Sequence, residues 1–140
     1  MVVNYSCRYI QILLSALAIS VGGVTYMIWR CGTLLYSLTS GIPAIKYLQS
    51  VCPYPGNFFI YNLPGGLWCL SYILVVDMIM RQSSLLLRLV AASIIPFVGI
   101  SSEVFQYFGL ISGQFDYFDI ICYLLPLAVY MIVMIVDNKK

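Results

Sequence analysis

The chain has 140 residues, of which 62% are hydrophobic and only 9% charged, with a formal net charge of +2. A soluble domain carries about a quarter charged residues, so a chain this apolar would aggregate in water and belongs in a bilayer, and its scattered charge provides no basic patch for nucleic acid. Histidine is absent, which excludes Ser-His-Asp and Cys-His catalysis, HExxH zinc sites and histidine-ligated haem.

The first predicted element is an uncharged run from Tyr9 to Trp29, bracketed by Arg8 and Arg30. At about 1.5 Å of rise per residue it spans a hydrocarbon core of about 30 Å. Ala16-Leu17-Ala18 resembles a signal-peptidase site, but the apolar stretch continues past it to an interfacial tryptophan, so a retained helix is expected. Cys31 to Ile45 is uncharged but contains Gly41 and Pro43 and is short for a span, which suits an interfacial or re-entrant segment. The aromatic, proline-rich stretch after Lys46 reads as a surface loop. Pro64 then opens a second span over about 64–80, since proline is tolerated in a helix's first turn. Within it Asp77 lies four residues before Arg81, so an ion pair at the membrane edge is expected. The third span covers about 85–109, with Arg88 snorkelling to the headgroups. The fourth covers about 117–136 and stops at Asp137-Asn138-Lys139-Lys140. The fold class is therefore all-α: one polytopic domain, a bundle of four transmembrane helices.

Orientation follows from the asymmetry of basic residues. With both termini cytoplasmic, Arg8, Arg81, Arg88, Lys139 and Lys140 lie inside, and only Arg30 and Lys46 outside. The five cysteines, Cys7, Cys31, Cys52, Cys69 and Cys122, form no CxxC pair and read as small apolar packing residues. Cys31 and Cys52 both fall on the outer side, where a disulfide between them is an open alternative. Neither a metal site nor a cofactor is expected.

Charge inside a membrane is costly, so each instance needs a reason. Glu103 and Gln106 lie three apart on one face of the third span. Asp116 and Asp119 repeat that spacing where the fourth span opens, with Tyr123 one turn further along. The turn of residues 109–113 makes these helices antiparallel neighbours, so their polar groups meet near the outer surface. Three such carboxylates repel one another unless one holds a proton or a cation sits among them, for which Arg30, Lys46, a metal ion or a cationic ligand are the candidates. In the plainer alternative, Asp116 and Asp119 cap the fourth helix while Glu103 and Gln106 bond across the helix pair.

These residues resemble the VanZ-like family of bacterial membrane proteins, named for an accessory protein of teicoplanin resistance. The family carries a Glu-x-x-Gln pair late in one helix, a short loop with Arg and Asp, and an Asp opening the last helix, followed by Asn and Gly. Here the pattern reads Glu103-Val-Phe-Gln106, then Gly113-Gln114-Phe115-Asp116, then Asp119. Leu63-Pro64-Gly65-Gly66-Leu67-Trp68 is similar to the family's Pro-Asp-Gly-Leu-Trp-like entry to the preceding helix. Gln114 replaces the loop Arg, Tyr123 the Asn, Pro126 the Gly, and Gly65 the Asp before Gly-Leu-Trp.

The resemblance implies a protein of the cell envelope that acts on, or protects, wall or surface-lipid components, with the bilayer and a cell-wall or lipid-linked glycan as partners. Glu103, Gln106, Asp116, Asp119 and Tyr123 would form the outward polar site, with Pro64, Gly65, Gly66 and Trp68 in a loop over it. Glu103 is the best general acid or base, yet no clear nucleophile accompanies it, and catalysis is not expected. The alternatives are an oligomeric channel or transporter subunit, in which Glu103 binds a proton or cation, and a scaffold of a larger membrane complex.

Overall fold

The computed structural model describes residues 5–137; residues 1–4 and 138–140 and the side chains of Tyr5, Ser6, Cys7 and Asp137 lie outside the described residues. Every regular element among them is helical: α1 (Tyr5–Ile28), α2 (Leu34–Thr39), α3 (Pro43–Val51), a π-helical turn (Phe58–Asn62), α4 (Leu63–Ile79), α5 (Leu85–Tyr107) and α6 (Tyr117–Asp137). Four segments are long and apolar enough to cross a membrane: Arg8–Ile28, Phe58–Ile79, Leu85–Tyr107 and Tyr117–Val136. The four-helix membrane bundle expected from the sequence is the fold.

α4 is the hub, packing against α1, α5 and α6, while α5 and α6 also pack on each other. The fully apolar part of the core is small, formed by Ile73, Ala92 and Leu127 with Tyr72 and Tyr130 packed against it. Outward-facing Leu13, Leu17, Ile94, Phe97, Val98 and Ile132 are largely exposed, as expected where lipid solvates the outer faces. Ser15 and Ser71 join α1 to α4 through a buried hydroxyl contact of 2.8 Å, the kind of polar tie that holds helices together in a bilayer.

The second span begins at Phe58, six residues earlier than the sequence predicts. Pro64 has no N–H to continue α-helical bonding to Ile60, and the chain passes through a π turn in which Leu63 N–H donates to the Phe58 carbonyl. Helical segments inside a membrane tolerate proline and glycine when neighbours satisfy the backbone. Residues 64 to 68 are therefore the first turn of a packed helix rather than a loop over the site.

Neither α2, with 6 residues, nor α3, with 9, is long enough to cross. Both fold against the end of α1, where Gln49 Nε2 donates to the Met27 carbonyl at 2.7 Å and Trp29 Nε1 to that of Pro53 at 3.2 Å. Cys31 and Cys52 are both free thiols, so no disulfide links them. The neighbouring Cys31 thiol pushes the ionisation of Tyr36 above the ordinary tyrosine value.

Asp77 does not pair with Arg81. The helix ends at its C-cap, Met80, so the four-residue spacing no longer follows a helical face. The carboxylate bonds instead to Arg88 at the start of α5, to the Tyr130 hydroxyl at 2.7 Å and to Gln11 Nε2 at 2.8 Å. One side chain thereby ties all four long helices together, and Arg88 turns inward rather than snorkelling.

Candidate functional site

At the opposite end of the bundle, where α1 and α5 finish and α4 and α6 begin, lies an open cleft of about 890 Å³. α5 stops where Gly109 takes the left-handed conformation, φ +69°. Its N–H donates to the Gln106 carbonyl and that of Leu110 to the Phe105 carbonyl, the paired bonds of a glycine-ended helix. α6 starts when Asp116 Oδ1 accepts from Phe118 N–H at 2.9 Å, so the capping role expected of Asp116 is real.

The three carboxylates share one network. Glu103, 4% exposed, accepts at Oε2 from the Asp116 backbone N–H at 3.1 Å. Asn62, 3% exposed, donates its amide to Asp116 Oδ2 at 2.8 Å and to Asp119 Oδ1 at 3.1 Å. A neutral amide thus clamps two like charges, each of which keeps oxygen capacity to spare. The only ion pair among the described residues is Asp77–Arg88, so no cleft carboxylate is in salt-bridge contact with a cation. Arg30 does line the cleft, but it donates to the Tyr26 hydroxyl. Its guanidinium lies 4.4 Å from the Tyr26 ring centroid and 5.4 Å from that of Tyr61. Lys46 does not line the cleft.

Of the residues expected at the site, Glu103, Gln106, Asp116, Asp119, Tyr123 and Gly65 line the cleft together. The Tyr123 ring lies between two helices bare of side chain there: a Cβ at Gly65 or at Gly99 would come within 2.9 Å of it. Gln106 does not bond across to α6 but folds over Gly113, where a Cβ would approach its amide carbon to 2.6 Å. Pro64 is buried outright, Gly66 is pressed against the Cys122 backbone, and Trp68 stacks on Tyr26 with ring centroids 4.8 Å apart. These last three support the cleft walls without lining them.

Sequence reasoning missed Asn62, Tyr26 and Tyr61 as cleft residues. Asn62 is the important omission, since it sits in a stretch that reads as surface loop, where an asparagine is unremarked. Replacing it by leucine leaves Asp116 Oδ2 and Asp119 Oδ1 without the donor they share. A destabilisation of about 1–3 kcal/mol is expected, the usual cost of stranding buried polar groups, and detergent-based thermal unfolding measures it. Unchanged stability would mean the clamp has no weight.

With this geometry in place, comparison with known proteins adds nothing to decide among functions: the chain matches no family model, no curated protein and no solved structure.

Proposed function

We propose that the chain is an envelope-type membrane protein whose cleft faces outward and binds the polar head of a wall or surface-lipid component, as the likeness to the VanZ-like family implies. The observation that carries this reading is the lining itself: acid, amide and aromatic side chains gathered in one open cleft at a membrane end. Carboxylates and amides offer paired acceptors and donors to hydroxyl groups, and aromatic faces stack on the apolar sides of a sugar ring. Its volume lies within the range of about 300–1,000 Å³ typical of small-molecule sites.

Outward orientation is supported by the basic residues. Arg81 and Arg88 sit at the bundle end opposite the cleft, and Arg8, Lys139 and Lys140 belong to that end by sequence. Gly65 and Tyr123, two positions at which the chain departs from the family's pattern, pack against each other.

Binding fits the cleft better than covalent catalysis. The Ser102 hydroxyl, beside Glu103, donates to the Gly99 carbonyl at 2.7 Å and is not paired with a base. Transport through a single chain fits less well, because the apolar layer of Ile73, Ala92 and Leu127 lies between the cleft and the Asp77 cluster.

Glu103→Gln is the test. It keeps shape and one acceptor oxygen for the Asp116 N–H while removing charge, so the fold should persist. In a strain lacking the gene, the variant is expected at normal protein level but without protection against glycopeptides or other envelope-directed stress. Full protection would remove Glu103 from the site and leave the carboxylates as packing elements.

A further inference from the structure

We infer that the head bound in this cleft presents a protonated amine, seated against Glu103 and Asp119. The inference rests on the reading of the cleft as a head-binding site and narrows its chemistry. Two independent features carry it.

The first is the balance of charge. Glu103, Asp116 and Asp119 share the cleft with a single cation, Arg30, which is engaged by tyrosines rather than by a carboxylate. An approaching ammonium relieves the repulsion among the acids. A phosphate or diphosphate head adds to it, since like charges in a poorly hydrated site disfavour one another.

The second is the state of Glu103. Its side chain is more than nine-tenths buried and lines the cleft. Oε2 is spent on the Asp116 N–H, whereas Oε1 receives no donor among the described residues. That oxygen is an open acceptor on a residue that lines the cleft. Asn62 uses only Oδ1 of Asp119, so a second acceptor is available in the same cleft. An ammonium group supplies three donors and a charge to these two open acceptors.

Two probes that differ only at nitrogen test this: glucosamine, which carries a free ammonium, and N-acetylglucosamine, which does not. Each is titrated by calorimetry into the full chain in phosphatidylglycerol nanodiscs, a matrix without amines. A parallel set of discs is doped with phosphatidylethanolamine, to learn whether the amine comes from a lipid head or from a sugar. The expected result is at least tenfold tighter binding of glucosamine, with the difference abolished in both Glu103→Gln and Asp119→Asn. Thermal unfolding of each variant confirms that it is folded; if one is not, the other carries the comparison. Weakening of glucosamine binding by phosphatidylethanolamine assigns the site to a lipid head, and its absence to an amino sugar. Equal binding of the two sugars overturns the amine and leaves head binding standing. Failure of both sugars at millimolar concentration, with no stabilisation by phosphatidylethanolamine, overturns both readings.

Discussion

Replacing Asp77 by leucine is expected to cost about 3–5 kcal/mol of stability, the penalty of leaving a buried partner charge uncompensated. Asp77 is 5% exposed and its carboxylate collects bonds from three other helices. Loss of the acid strands the Arg88 guanidinium, whose one remaining side-chain hydrogen-bond partner among the described residues is Met134 Sδ at 3.3 Å. The informative measurement is a cycle. A buried pair replaced on both sides by apolar residues is often nearly neutral, so Asp77→Leu combined with Arg88→Met should recover at least half of the single-variant loss. Recovery is incomplete because Gln11 and Tyr130 still lose their acceptor. Denaturation in detergent reads both numbers. Additive losses in the double variant would show that the two side chains do not act as a pair.

That pair also illustrates where sequence reasoning stops. The spacing of Asp77 and Arg81 has meaning only while the helix continues, and the span's end at about residue 80 already puts Arg81 beyond it. The true partner lies on the next helix, reachable only after the hairpin is built. Glu103, Gln106, Asp116, Asp119 and Tyr123 were legible because polar residues three or four apart stand out against an apolar background and a short turn forces their helices together. Asn62 was not, since polarity in a stretch rich in proline and aromatics carries no contrast. The Pro64-Gly65-Gly66 run misleads for a related reason. In water that composition punctuates the chain, whereas between helices it marks close approach.

Close approach at Gly66 leads to a second large effect, and to a control within the same chain. A Cβ there would stand 2.9 Å from the Cys122 carbonyl oxygen and 3.1 Å from the Cys122 Cβ. The carbonyl belongs to the backbone of α6 and cannot swing aside, so Gly66→Ala must push α4 and α6 apart. Overpacking of this kind costs about 1–3 kcal/mol. Gly23, in the middle of α1, has nothing within 4 Å of the same added atom. Alanine is the better helix former, and Gly23→Ala should gain about 0.5–1 kcal/mol. The two identical substitutions are thus expected to differ in sign when unfolding is followed under the same conditions. The functional consequence separates them further. Asn62 on one side of the α4–α6 contact clamps Asp116 and Asp119 on the other at 2.8 and 3.1 Å, and a displacement of a few tenths of an ångström carries the longer of these bonds past its useful range. Gly66→Ala should therefore weaken glucosamine binding even at temperatures where the variant is fully folded, while Gly23→Ala binds as the unaltered chain does. Unchanged affinity in a folded Gly66→Ala protein would mean that the α4–α6 spacing does not set the geometry of the cleft.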